Sequence, residues 1–350
     1  MQNTDEIEKL YHRIVSLHKD IDTLRQPLLD IKSVITEIKK IVDLPGTVAK
    51  DLKKLRTLVS ALNEVVQLLE WVPGQLGTTC KAVHRLLSPL VEPATKGVLD
   101  ELINTTEQMD KAMTKIKQYL EKVEPYIDKS LKAINGVRDE VIALELKMAE
   151  LVEHYKRIAP SAETIECVRT INRYIDQLEG VVLKLKAQFE SAIQPLSAVL
   201  SQIRKALDPI AALAEQITHV LKQIDIKAIN DLIRQVNQYK KKIQDFRKKV
   251  VSKIEAVVRA AFKKFGIDID AIDKLISKLI NSALKPLRHV IDDITAKVTN
   301  MLSQISTMLE KLLPLDQLNQ IVSAVESLRD DLQRELDRIA GSACRSVLRA

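Results

Sequence analysis

The sequence predicts an all-α protein, an elongated antiparallel helical bundle or coiled-coil rod with a long central helical hairpin. Three observations carry that prediction. Apolar side chains recur at alternating three- and four-residue steps over most of the chain, which holds one apolar seam on one side of a helix. Aromatic residues are only 3% of the composition and glycines number 8 in 350 residues, a balance that suits long helices packed side by side. No segment alternates apolar and polar residues with period two, so no strand is expected.

The first seam runs Ile7, Leu10, Ile14, Leu17, Ile21, Leu24, Leu28, Ile31, Ile35, Ile38. Asp43-Leu44-Pro45-Gly46 breaks it, because Pro and Gly together punctuate helices. A second seam, Leu52 to Leu69, ends at Trp71-Val72-Pro73-Gly74-Gln75-Leu76-Gly77, the clearest loop in the sequence. A short helix interrupted by Pro89 and Pro93 follows. The next seam extends from Met113 to Ile158, with Ser130 its one polar member. After Ala159-Pro160-Ser161, Val168, Ile175, Val182, Phe189, Leu196, Ile203, Ile210, Ile217 and Ile224 recur at every seventh position. Ile171, Leu178, Leu185, Ala192, Val199, Ala206, Leu213 and Val220 fill the other seam position.

Two such helices of roughly 60 residues would each be roughly 90 Å long. The short break between them predicts an antiparallel hairpin. Pro195 and Pro209 lie inside the second helix and predict local kinks, not ends. Past Ile224 the register stutters to Val250 and breaks at Gly266. Helical spacing returns from Ile272 to Leu312, pauses at Leu313-Pro314-Leu315-Asp316, and ends from Leu318 to Ile339, with Gly341 as cap. The organisation expected is one elongated helical domain, 1–350. Its parts are N-terminal helices (4–90), a coiled-coil hairpin (94–225), a basic amphipathic hairpin (226–290) and C-terminal helices (291–340).

A 46% apolar and 29% charged composition supports a folded chain and argues against disorder. The net charge of +7 conceals an asymmetry. Arg234 to Lys264 contains eleven Lys or Arg against Asp245 and Glu255, so the excess of basic charge sits in one region. Cys80, Cys167 and Cys344 are far apart and odd in number, which makes no disulfide framework and predicts synthesis in a reducing compartment. No signal peptide is visible in MQNTDEIEKL. No apolar run reaches membrane-spanning length; the longest charge-free stretch, Ser191 to Ile203, contains Ser, Gln and Pro. The expected localisation is synthesis in the cytoplasm without a signal peptide, followed by release and membrane association. Without a secretory route the sequon at Asn104 has no meaning.

Lys248 to Phe265 reads KKVVSKIEAVVRAAFKKF. Val250, Val251, Ile254, Val257, Val258, Ala261, Phe262 and Phe265 form an apolar face wider than a coiled-coil seam, flanked by Lys248, Lys249, Lys263 and Lys264. After Gly266 a second broad face follows, with Ile272, Ile276, Leu279 and Leu284 among its members. The pair predicts an amphipathic helical hairpin with two alternative uses. It lies in a lipid interface, its lysines drawn to anionic head groups, or its faces close the end of a helix bundle and the lysines are solvated. Nucleic-acid binding has no support, since the basic run carries no motif and no interleaved aromatics. Trp71 is expected to pack at the bundle end or to anchor an interface or partner.

Catalytic signatures are absent. The six histidines are scattered, no HExxH or Cys/His cluster occurs, and neither GxGxxG, Walker A nor GxSxG is present. Cys80 beside Lys81 and near His84 reads as an ordinary thiol, since nothing completes a nucleophilic pair. The expectation is a non-enzyme with no cofactor, no metal and no small-molecule substrate.

In length, in the hairpin Met113–Ile224, in the break at Trp71-Val72-Pro73-Gly74 and in the hairpin Lys248–Leu287, the chain resembles the smaller, B-type component of two-component α-helical pore-forming toxins typified by xenorhabdolysin. The resemblance implies a partner subunit, self-assembly, exposure of amphipathic helices and an anionic membrane surface as target. The sequence departs from that plan in lacking a strongly apolar tongue. The alternative class is a soluble coiled-coil scaffold or tether, which everything up to Ile224 fits equally well.

Overall fold

The computed structural model describes residues 2–95, 97–250, 255–310 and 315–341, together with Cys344. It is an all-α fold of long helices, with no strand among the described residues. The helices are α1 (Gln2–Val42), α2 (Leu44–Leu69), α3 (Gln75–Val91), α4 (Val98–Tyr155), α5 (Ala162–Lys222), α6 (Ile226–Lys249), α7 (Glu255–Lys264), α8 (Ile269–Leu279), α9 (Lys285–Glu310) and α10 (Leu315–Gly341). The chain forms two compact units, each assembled from separated stretches of sequence. Unit 1 takes Met1–Lys39, Ile116–Lys205 and Thr307–Ala350, and unit 2 takes Lys40–Lys115 and Ala206–Ser306.

Unit 1 is a four-helix assembly of α1, α4, α5 and α10. Every seam residue of α1 from Ile7 to Ile38 is buried, and each contributes about 1.5–3 kcal/mol by leaving water. Polar pairs at the seam edges reveal the helix directions. Between α1 and α4, His18 pairs with Glu145 at 2.9 Å and Lys32 with Asp128 at 2.6 Å. Their sequence separations fall steadily, from 127 for His18–Glu145 through 110 for Arg25–Asn135 to 85 for Lys39–Glu124, so the two helices are antiparallel. Between α1 and α5 the separation stays at 159–167, from Arg13–Asn172 to Arg204–Glu37, so those helices are parallel. Helices α4 and α5 therefore run antiparallel within this unit, joined at 156–161, where Tyr155 Oη lies 3.0 Å from Thr164 Oγ1. Ser130, the polar member of the α4 seam, is buried with the seam residues from Met113 to Met148.

Several expectations are corrected at this level. Helix α4 stops at Tyr155, so Ile158 leaves the seam and is 58% exposed. Along α5 the expected seam is buried except at Val199 and Ala206, and Ile193, Leu200, Leu207 and Ala214 turn inward beside it. The cause is the mismatch between a 3.6-residue helix and a 3.5-residue repeat, which rotates the stripe by about 20° per heptad. Helix α5 continues through Pro195 and Pro209, in agreement with the expectation that they do not end it. The break at Asp43 shrinks to one residue, because Pro45 falls in the first turn of α2, where its missing N–H costs nothing. Pro89 sits within α3 and the helix runs on to Val91. Leu313 and Pro314 lie outside the described residues.

The cysteine reading is also corrected. Cys167, near the start of α5, and Cys344, beyond α10, are disulfide-bonded with Cα atoms 5.0 Å apart. A sequence separation of 177 hides the pair, and only the antiparallel return of α10 along α5 brings it together. Cys80 is the free, buried thiol.

In unit 2, α2 packs on α3 and α6, and α3 packs on α8. The turn from α2 to α3 is Glu70–Gly74. Gly74 has φ +81°, a region that glycine enters without strain. A Cβ on Gly77 would lie 1.7 Å from the Val72 carbonyl oxygen, so the first turn of α3 closes directly on the loop backbone.

Candidate membrane and partner surface

The basic segment occupies α6, α7 and the turn into α8, all in unit 2. The expected continuous helix from Lys248 to Phe265 does not form. Helix α6 ends at Lys249, and Val250 is extended (φ −83°, ψ 99°), its N–H donating to the Phe246 carbonyl. The β-branched pair Val250-Val251 favours that conformation. Val251 and Ile254 lie outside the described residues. Helix α7 restarts at Glu255, whose carboxylate rests against Gly74 of the Trp71–Gly77 loop. Gly266, at φ +72°, turns the chain toward α8, and Asp268 caps α8 by accepting from Asp270 N and Ala271 N.

The apolar faces of both helices turn inward. Val258 and Phe262 of α7 are fully buried, and Ile272, Ile276 and Leu279 of α8 are buried, as is Leu284 in the π turn (Ile280–Leu284) that links α8 to α9. Phe265, Val250 and Trp71 are half-buried. Of the predicted apolar contact residues that are described, Val257 alone is exposed, at 49%.

Sequence reasoning missed how the aromatics gather here. Three of the four phenylalanines, the single tryptophan and one tyrosine form two aromatic contact groups on α6, one around Phe246 and one around Tyr239. Trp71 packs on Phe246 with ring centroids 6.0 Å apart, Tyr239 stacks on Phe265 at 5.6 Å, and Phe262 meets Phe265 edge-on at 6.3 Å. Such pairs each add about 0.5–1.5 kcal/mol beyond area burial. The available signal was the confinement of Phe246, Phe262 and Phe265 to a short stretch of an aromatic-poor chain.

The cations lie outside these groups. Arg259 is held above its ordinary pKa by hydrogen bonds to Asp270 and Glu255; the Asp270 contact is 2.7 Å. Arg234 pairs with Asp231 at 3.0 Å, and Lys240 with Glu64 at 3.9 Å. Lys241, Lys242, Arg247, Lys248, Lys249, Lys263 and Lys264 are exposed and pair with no described carboxylate. Lys242 stands 5.5 Å from the Tyr239 ring centroid. Helices α6 and α7 of unit 2 thus carry exposed positive charges that no described carboxylate neutralises.

No described helix is long and apolar enough to cross a membrane, and no cluster of three or more His, Cys, Asp or Glu that could hold a metal occurs among the described residues. The chain matches no family model and no curated protein.

Proposed function

We propose that this chain is a non-catalytic helical assembly protein that docks the basic face of unit 2 on anionic membranes and works with a protein partner and further copies of itself, in the manner of the smaller subunit of two-component α-helical pore-forming toxins. The observation that carries the reading is the set of seven unneutralised, exposed cations on α6 and α7. Basic residues near an anionic leaflet contribute about 1 kcal/mol each. Beneath them α7 is fastened by only two buried side chains, Val258 and Phe262, so its apolar face can be exchanged for lipid at modest cost. The Cys167–Cys344 bond supports release into an oxidising space after synthesis, since such bonds persist outside reducing compartments.

A scaffold or tether is the second reading, and one observation favours it. The apolar faces of α7 and α8 are already buried in the folded chain.

The test is flotation of the full-length protein with neutral vesicles and with vesicles rich in phosphatidylglycerol, with and without candidate partners. Selective binding to the anionic vesicles is expected. Replacing Lys248, Lys249, Lys263 and Lys264 by Gln is expected to remove up to about 4 kcal/mol of it, on the order of a thousandfold. Equal binding by the Gln variant, or no anionic preference under any condition, leaves the scaffold reading standing.

A further inference from the structure

Unit 2 also contains a cleft that the basic surface does not use. It lies between α2 and the elbow where α5 ends at Lys222 and α6 begins at Ile226, with a volume of about 620 Å³. That falls in the roughly 300–1,000 Å³ range of small-ligand sites. Leu55, Leu58, Leu221 and Ile224 line it, and Ile226 forms an apolar lip that is 51% exposed. An exposed isoleucine in the first turn of α6 contributes nothing to the helix cap, which Asp225 makes by accepting from Ala228 N.

The charged groups of the cleft are Asp51, Lys54 and Lys222. Asp51 is taken by Lys54 at 2.9 Å, while Lys222 pairs with no described carboxylate. The cleft therefore offers an apolar trough with one uncompensated cation at its edge. That combination suits an anion joined to a hydrocarbon chain. It disfavours a cationic amphiphile, which would meet Lys54 and Lys222, and it leaves a neutral chain without a partner for the ammonium.

We propose that this cleft binds a long-chain carboxylate, with the carboxylate on the Lys222 ammonium and the chain along Leu58, Leu221 and Ile226. The ligand bridges α2 and the α5–α6 elbow, so its binding ties three helices of unit 2 together. The proposal stands apart from membrane docking: the cleft residues are not those of the basic face of α7.

The test uses the full-length protein and dansyl-undecanoic acid, a fatty acid that brightens in apolar surroundings. Saturable one-to-one binding is expected, displaced by laurate and not by dodecyltrimethylammonium or dodecanol. Lys222→Glu is expected to weaken binding about tenfold, the loss of one charge-assisted contact. Leu58→Trp, which fills the trough, is expected to abolish it with the helical circular dichroism unchanged. Should Leu58→Trp fail to fold, Lys222→Glu and Ile226→Ser decide, because both sit at exposed positions. The absence of saturable binding, equal displacement by the cation or the alcohol, or wild-type affinity in both exposed-site variants overturns the proposal.

Discussion

Truncating Phe262 to alanine should release α7 from unit 2 while unit 1 stays folded. The ring is fully buried and meets Phe265 edge-on at 6.3 Å. Removing it costs about 3–5 kcal/mol in transfer and cavity energy. Helix α7 has ten residues and only one other buried side chain, Val258. Burial of a valine contributes about 1.5–3 kcal/mol, less than the loss. A helix so short is marginal without tertiary support, so the balance turns against docking locally. Hydrogen exchange by mass spectrometry reads this directly. The Phe265 and Ile267 amides, which donate to the Phe262 carbonyl at 2.9 and 3.0 Å, should exchange on the order of a hundred- to a thousandfold faster, following about 1.4 kcal/mol per decade. Amides of α1 between Ile14 and Ile38 should be unchanged, and Phe262→Leu should retain most of the protection. Unchanged exchange in α7, or equal loss throughout α1, would refute the reasoning: the first means that the ring does not hold the helix, the second that α7 has no independent opening.

Three further outcomes follow from the same geometry. Gly77→Ala should destabilise unit 2 by more than about 2 kcal/mol in urea titration, because its methyl would meet the Val72 carbonyl at 1.7 Å. Arg13, hydrogen-bonded to Asn172 at 2.6 Å, Asp176 at 2.5 Å and Glu179 at 2.7 Å, should show a coupling of about 0.5–1 kcal/mol with Glu179 in a double-mutant cycle, shrinking in high salt since the groups are partly exposed. Burial pushes the Cys80 thiol from 9.0 up to about 12. Between those values the unfolded chain loses the proton and the folded chain keeps it, so stability is full below about 9 and drains away as pH rises toward about 12. The urea midpoint of Cys80→Ala should fall less over that window, and the native protein should resist thiol reagents that modify Cys80 once it is unfolded.

Much of the fold was legible because burial and repeat coincide. Ile7 to Ile38 could face only one way, and a chain with that pattern has no other way to hide ten large side chains. What was not legible has a common physical origin. The apolar stripe Val258–Phe262 has the same spacing whether it meets lipid or its own core, so its direction is decided by the rest of the fold, not by its own sequence. The aromatic groups join Trp71 to Phe246 and Tyr239 to Phe265, residues that no local period relates. Cys167 and Cys344 are likewise brought together by the return of α10. The drift at Val199 and Ala206 is a geometric property of a long helix that a strict seven-residue count overlooks.

The covalent link at Cys167 and Cys344 has a topological consequence. It turns residues 167–344 into a closed ring, and everything from α6 to α9, the basic surface included, is carried on that ring. Any excursion of α7 or α8 is then that of a bight in a rope with both ends knotted together: the bight can swing out, but α10 cannot be paid out behind it. Cutting the knot with a reductant would lengthen the slack.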